Sequence, residues 1–202
     1  MRRSLDVCGF VKMNPLETAK QEIRAIIAQS SVPEDPIHAE NTLQWLLKIK
    51  PDADDALQIA ALAHDIDRAS DQKVKRDDYE DYDAFKAAHA KHSANILRDI
   101  LEAHGVCSYI IDKACRLVLH HEVGGDPEAD VLQDADSISY FDSNLPLYYG
   151  REGWEETKRR CLWGYRRLSP KMHKVLLSIH HQDPKLNLML QEVINEIEVQ
   201  KM

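Results

Sequence analysis

The sequence predicts an all-α protein, and three observations support that fold class. The chain of 202 residues has only 7 Gly and 3 Phe, whereas alanine and leucine, which favour helices, are abundant. No segment shows the alternation of apolar and β-branched residues that is typical of a strand. Several stretches begin with a capping residue followed by proline, which is a common helix start.

Four predicted helices begin in this way, because the capping oxygen accepts from a free backbone N–H and proline loses no hydrogen bond there. They start at Asn14-Pro15, Asp35-Pro36, Ser169-Pro170 and Asp183-Pro184. Gly105 is a natural stop for the long fourth helix. The polar segment 69–78 is expected to be a loop that could cover a site. The nine predicted helices span about 15–29, 36–50, 54–68, 78–104, 108–122, 127–142, 151–168, 170–181 and 184–199.

Length and composition restrict the organisation of the chain and its partners. Residues 14–202 are expected to form a single helical domain, preceded by an N-terminal extension or arm at 1–13. The formal net charge of −8 argues against a nucleic-acid polymer as partner. No apolar run approaches the roughly 20 residues that cross a bilayer, so no membrane partner is expected. The 4 scattered cysteines form no framework, which indicates the reducing cytoplasm.

The dipeptide His64-Asp65 is the first candidate site. It follows the apolar run IAALA and precedes Ile66, so both polar side chains are expected to be buried. Buried polar groups need partners, and a divalent cation satisfies an imidazole and a carboxylate together. Adjacent helical residues are about 100° apart, so both can reach one centre.

Other histidines and aspartates lie on the predicted inward faces of neighbouring helices. His38, for example, shares a face with Thr42, Trp45 and Leu46. Each residue alone has an ordinary explanation, such as a histidine at the core edge or one that interacts with a helix C-terminus. Taken together they are candidate metal ligands: His38, His89 or His92, His120 or His121, and Asp134 or Asp136. Nothing in the sequence places His104, His173, His180 or His181 on the site.

The order His, His-Asp, His, His, Asp across five successive helices resembles the HD-domain superfamily of metal-dependent phosphohydrolases. The segments that carry the resemblance are HAENTLQWL, LAHDIDR, HAKHSANILRDIL, LVLHHE and LQDADSI. They span about 36–142, which would form the HD helical bundle, with additional C-terminal helices at 151–199. The resemblance implies that His38, His64, Asp65 and Asp136 hold one metal ion. It also implies that His89 and His120 help to hold a second, with His92 and His121 as alternates and Asp65 as the bridge.

The resemblance further implies a metal-dependent phosphohydrolase that acts on a small phosphorylated molecule, such as a nucleotide. A metal-bound hydroxide would attack phosphorus, and Asp65 would position it as the catalytic residue. One or two divalent ions are expected, and the ligands do not discriminate among Mn, Fe, Ni, Co, Zn and Mg. Two alternatives stay open: an HD-type di-iron oxygenase, and a non-catalytic HD-like binding or regulatory module. The segment VGGDPEAD after HHE has no GYP-type motif, so cyclic-dinucleotide hydrolysis is not supported.

A basic segment without any acid extends from Thr157 to Gln182. One of its arginines could reach the site and bind phosphate, but for most of these residues we favour a solvated face whose stems cover apolar neighbours. Arg68 and Lys91 are the preferred phosphate contacts because they lie closer in sequence to the ligands. The basic residues of the segment are Lys158, Arg159, Arg160, Arg166, Arg167, Lys171 and Lys174.

Overall fold

The computed structural model describes residues 14–199, and this part of the chain is an all-α bundle, as predicted. None of the helices described is long and apolar enough to cross a membrane. The predicted arm at 1–13 lies outside the described residues. The helices are α1 (Pro15–Ile27), α2 (Asp35–Ile49), α3 (Asp55–Ala63), α4 (Tyr82–Ala103), α5 (Ser108–His120), α6 (Pro127–Ser139), α7 (Leu145–Arg167), α8 (Pro170–Leu176) and α9 (Pro184–Val199).

Two of the four predicted caps are confirmed. The Asn14 side chain accepts from the backbone N–H of Leu16 at 3.1 Å, and Asp183 accepts from the N–H of Lys185 at 2.9 Å. The predicted side-chain caps of Asp35 and Ser169 are wrong, because both side chains make other contacts, although α8 does begin at Pro170 as predicted. Asp35 lies inside α2 and forms an ion pair, and the Ser169 hydroxyl donates to an aspartate on α6.

Helix α3 lies at the centre of the bundle, packed against α1, α2, α5 and α6. Its sequence DALQIAALA is apolar on nearly every side, and a helix of that kind is stable only when surrounded by protein. The helix ends at Ala63, earlier than predicted, and a 3₁₀ turn follows at Ile66–Ala69. His64 and Asp65 therefore lie in the turn that leaves a buried helix, rather than within the helix.

The core consists of two buried apolar clusters. The first is built from α1 to α6, and the second extends from the end of α6 through α9. The half-buried Trp45 and Ile49 on α2 pack against both clusters. This continuity places the C-terminal helices directly on the bundle that carries the candidate ligands.

Helix α7 begins at Leu145, six residues before the predicted start, and follows a π-helical turn at Tyr140–Asn144. It is kinked at Gly153, where φ is 78°, a conformation that glycine adopts without a steric penalty. The Gly153 carbonyl accepts from the Thr157 hydroxyl at 2.6 Å. Beyond the kink, α7 packs against α6 and α9, and its basic residues reach the ligand-bearing end of the bundle.

Candidate metal centre

Helices α3 and α5 end in the same way, with a buried histidine that turns back on the helix. Nδ1 of His64 donates to the Ala61 carbonyl at 2.9 Å, and Nδ1 of His121 donates to the Val118 carbonyl at 2.7 Å. The last carbonyls of a helix lack intrahelical partners, so each imidazole satisfies one of them. Because a carbonyl can only accept, Nδ1 carries the hydrogen in both rings and Nε2 faces the interior.

His38 on α2 and His89 on α4 are oriented by the same principle. Nδ1 of His38 lies 2.9 Å from the Ser139 hydroxyl oxygen, and that hydroxyl lies 3.3 Å from the His38 carbonyl, to which it donates. Nδ1 of His89 donates to Asp67 at 2.8 Å. Hydrogen bonds that hold Nδ1 are the usual support for a histidine that ligates a metal through Nε2.

The Nε2 atoms of these histidines converge on Asp65. Nε2 of His89 is 2.8 Å from Asp65 Oδ1 and Nε2 of His121 is 3.7 Å from the same oxygen. Nε2 of His64 is 3.8 Å from the other oxygen, Oδ2. Two sets of ligand atoms, each lying within 4.8 Å of one another, share this carboxylate: His38, His64 and Asp65, and Asp65, His89, His121 and Glu122.

Asp136 on α6 completes the first set. Its Oδ1 lies 3.1 Å from Nε2 of His38 and 3.5 Å from Nε2 of His64. Its Oδ2 accepts from Arg167 at 3.1 Å, and the same guanidinium lies 3.3 Å from Glu122. Arg167 thus joins the carboxylates of both sets.

The donor set fits a divalent cation. Nε2 of His38 and Nε2 of His64 lie 3.2 Å apart, and with hydrogen on both Nδ1 atoms two lone pairs would face each other. The buried Nε2 of His121 lies 3.2 Å from Glu122 Oε1 but makes no well-aligned hydrogen bond within the described part of the chain. A cation in each of the two ligand sets would satisfy these nitrogens and the nearby carboxylates.

Electrostatics at the cluster also favour positive charge. Burial by itself would lower the pKa of His64, but Asp65 and Asp136 outweigh it and raise that pKa to about 9. Burial likewise opposes the Asp65 and Asp136 carboxylates, yet neighbouring histidines and arginines hold both pKa values well below the usual range. The cluster therefore holds ionised carboxylates that attract a proton or a metal ion.

Of each pair of alternative residues, the structure brings one into the cluster. His120 is exposed, and its neighbour His121, which terminates α5, lies in the cluster. His89 lies in the cluster, whereas His92 forms a hydrogen bond with Asp67 beside it. Asp134 accepts from the backbone N–H of a serine that precedes α8, at 2.8 Å, so it anchors the C-terminal helices.

Two residues of the site were not predicted from the sequence. Asp67 is buried, with 1% of its surface exposed, and its carboxylate accepts from both His89 and His92. Glu122 forms ion pairs with Lys86 and Arg167. Burial would raise the pKa of Glu122, but the neighbouring His121, Lys86 and Arg167 outweigh burial and lower that pKa. The sequence signals for them were present, since Asp67 belongs to LAHDIDR and Glu122 to HHE.

A cavity of about 710 Å³ opens above the cluster. Arg68 lines it and pairs with Asp35 at 3.0 Å and with Asp65 at 3.2 Å. Lys91, the other predicted phosphate contact, is exposed and lies outside the lining, because it is on the outer face of α4. Three residues of the polar segment 69–78, which was predicted as a loop that could cover the site, line the cavity: Lys73, Val74 and Arg76.

A solvated face is expected for most of the basic segment; Arg159, Arg160 and Arg167 nevertheless line the cavity, although Arg159 is also largely exposed. Arg166 is exposed and fits the solvated description. The kink in α7 and its contact with α6 bring these side chains over the cluster. The cationic residues that line the cavity are Arg68, Lys73, Arg76, Lys86, Arg151, Arg159, Arg160 and Arg167.

Comparison with known proteins identifies the family of the chain. A search of curated proteins and a search of solved structures gave no match. The family model described as "Domain of unknown function (DUF4202)" matches residues 13–189. This match covers most of the 202 residues and all of the ligand cluster. The chain therefore belongs to the DUF4202 family.

Proposed function

We propose that this protein is a metal-dependent phosphohydrolase of the HD superfamily that acts on a small phosphorylated molecule. One observation carries the proposal. Two sets of ligand atoms share Asp65 at the bottom of a cavity whose walls carry many arginines and lysines. Ligand sets of this kind suit divalent metals, and basic walls suit the charge of a phosphate group.

The residues present could hold two ions. His38, His64, Asp65 and Asp136 would hold the first, and His89, His121 and Glu122 would share Asp65 to hold the second. A bound divalent ion supplies a Lewis acid and lowers the pKa of a coordinated water towards neutrality. This assignment replaces the predicted His120 with His121 and adds Glu122.

The protein's own groups would orient the reactants. Asp65 lies between the two ligand sets, where its carboxylate can accept a hydrogen bond from an attacking water. Arg68 donates to Asp65 at 3.2 Å, which fixes the orientation of that carboxylate. Arg167 and Lys86, at the edge of the cluster, could neutralise the charge that develops on phosphate oxygens.

Covalent catalysis by a cysteine is not supported in the described part of the chain. Burial raises the pKa of Cys115 to about 11 and that of Cys161 to about 12. Both thiols are protonated at neutral pH and are therefore weak nucleophiles. Cys107 is exposed and does not line the cavity. Attack by water is the route that the site favours.

A phosphate-release screen tests the proposal. Natively purified protein would be incubated with nucleotides and sugar phosphates in the presence of Mn, Co, Ni, Mg or Zn. We expect release by wild-type protein and a loss of about a hundredfold or more in Asp65→Ala, as for removal of other central catalytic groups. His120→Ala is the matched control and should retain activity.

Three outcomes would contradict the proposal. Metal-loaded protein could release no phosphate from any compound, or Asp65→Ala could be as active as wild type. Bound iron that changes its absorption spectrum on reduction, together with consumption of oxygen, would support a di-iron oxygenase instead. Circular dichroism of each variant would establish that the helices are intact.

A further inference from the structure

Arg160 differs from most other cations of the cavity wall. Arg68, Lys86 and Arg167 each form ion pairs with carboxylates in or beside the ligand cluster. Arg160 forms no ion pair with any residue between 14 and 199, although it lines the same cavity. The nearby Glu156 is held by Arg159, through contacts of 2.8 Å and 2.6 Å.

Aromatic groups hold Arg160 in place without neutralising it. Its guanidinium carbon lies 4.1 Å from the centre of the Trp163 ring and 5.4 Å from that of Tyr140. One guanidinium nitrogen donates to the Tyr82 hydroxyl at 3.2 Å. Stacking of this kind orients an arginine and leaves most of its donors available. An oriented guanidinium without a carboxylate partner is a ready site for an anion.

A second cation contributes to the same region. The Arg76 guanidinium carbon lies 5.8 Å from the centre of the Tyr82 ring. Within the described range Arg76 also forms no ion pair, and one of its nitrogens donates to the Tyr79 carbonyl. Tyr82 thus has contacts with two cations, Arg160 and Arg76, that both line the cavity.

An aromatic side chain, Phe85, contacts both this region and the ligand cluster. The Phe85 ring lies 6.2 Å from the His89 ring on one side and 5.9 Å from the Tyr82 ring on the other. Among the described residues, Arg160 has no hydrogen bond or ion pair with a ligand residue, whereas Arg167, which lies 4.6 Å from the same Trp163 ring, pairs with Asp136 at 3.1 Å. Arg160 is therefore placed to bind a different group of the same molecule.

We propose that Arg160, assisted by Arg76, binds a second phosphate group of the substrate, so that the substrate is a small molecule with at least two phosphates. The inference rests on the proposed function for the first phosphate, which the ligand cluster would bind. Arg160 is a specificity residue in this account. It selects a substrate and does not take part in the attack on phosphorus.

The test is a pair of binding measurements that do not depend on turnover. Calorimetry would give the affinity of metal-loaded protein for adenosine 5′-monophosphate and for adenosine 5′-diphosphate, which differ by one phosphate. We expect wild type to bind the diphosphate about tenfold more tightly. Arg160→Ala should lose most of that difference while its affinity for the monophosphate changes by about twofold or less.

Two further variants separate binding from a structural role. Arg160→Lys keeps the charge and should retain part of the preference, although it loses the planar contact with Trp163. Arg166→Ala removes an exposed arginine of the same helix and should keep wild-type affinity for both compounds. If Arg160→Ala fails to fold, Tyr82→Phe takes its place, because it removes only the hydroxyl that orients Arg160.

Each possible result bears on one of the two proposals. Equal affinity of wild type for both compounds, or an equal loss for both in Arg160→Ala, overturns the role of Arg160. If metal-loaded wild type binds neither compound, the role of Arg160 is overturned as well. If the protein binds no metal but still prefers the diphosphate through Arg160, the hydrolase proposal fails and the anion site stands.

Discussion

Nε2 of His38 and Nε2 of His64 lie 3.2 Å apart, and the Nδ1 atom of each ring faces an acceptor elsewhere. Two neutral imidazoles in this arrangement would direct lone pairs at each other in a buried site. Either a proton or a cation must lie between the two nitrogens. Asp136 Oδ1, 3.1 Å from His38 Nε2, is a third atom that could ligate such a cation. This pair of atoms links the fold to the proposed metal chemistry.

Metal-free protein should become less stable as the pH rises above neutrality. The pKa values of His64 and His89 are each about 9, because Asp65 and its neighbours outweigh the effect of burial. These values exceed the unfolded value of about 6.5. The stabilisation that the protonated His64 and His89 give to the folded state is therefore complete below about pH 6.5. It is lost as the pH rises through about 9.

The measurement is thermal unfolding of chelator-treated protein. We expect Tm to fall by at least about 5 °C between about pH 6.5 and about pH 9.5. Metal-saturated protein should show a much smaller fall, because metal binding requires unprotonated ligands and strengthens as protons leave. Equal Tm values for the metal-free protein at the two pH values would refute the ionisation state derived for the cluster.

Two single variants, His121→Ala and His120→Ala, test which of the two histidines at the end of α5 is a metal ligand. His121→Ala should lower the metal content from about two ions per chain to about one, because His121 belongs to the second ligand set. His120→Ala should leave it unchanged, since His120 is exposed. Elemental analysis of both variants gives the answer, and a larger loss in His120→Ala would contradict the assignment.

A similar comparison separates the two aspartates of α6. Asp136→Ala should weaken metal binding strongly, because its carboxylate faces His38 and His64. Asp134→Ala should keep its metal but lose about 1–3 kcal/mol of stability, since it removes the acceptor of Ser169. Urea denaturation measures the stability of each variant, and elemental analysis measures its metal content. Loss of metal in Asp134→Ala but not in Asp136→Ala would contradict this assignment.

Asp67 is expected to act by positioning His89. Asp67→Ala removes the acceptor of His89 Nδ1, and loss of such a support commonly lowers metal affinity by about 10- to 100-fold. His92→Ala is the control, because His92 contacts Asp67 without joining the cluster. Competition with a coloured chelator measures the affinities. An unchanged affinity in Asp67→Ala would show that His89 needs no such support.

The sequence predicted the fold class, and five of the six residues that it offered as ligands lie together in the cluster. His38 lies on an apolar face with helical spacing, Asp136 lies beside such a face, and the apolar run before His64 makes its burial predictable. His120 and His121 could not be distinguished, because the choice depends on where α5 ends. The structure shows that His121 follows the last helical residue and binds the Val118 carbonyl.

Contacts between distant segments could not be predicted from local spacing. Arg167 reaches Asp136 from 31 residues away, and that contact depends on the path of α7 after the kink at Gly153. Asp67 lies 22 residues from His89, so its role as a support needed the packing of the turn after α3 against α4. Helical periodicity identifies faces, but it does not identify which faces meet.

The metal content of natively purified protein tests the central claim most directly. Elemental analysis of wild type and of Asp65→Asn, with helicity checked by circular dichroism, is sufficient. Because Asp65 belongs to both ligand sets, we predict about two divalent ions per wild-type chain and a loss of both in Asp65→Asn. Wild-type protein that neither retains nor takes up a divalent metal, or Asp65→Asn with an undiminished content, would contradict the account.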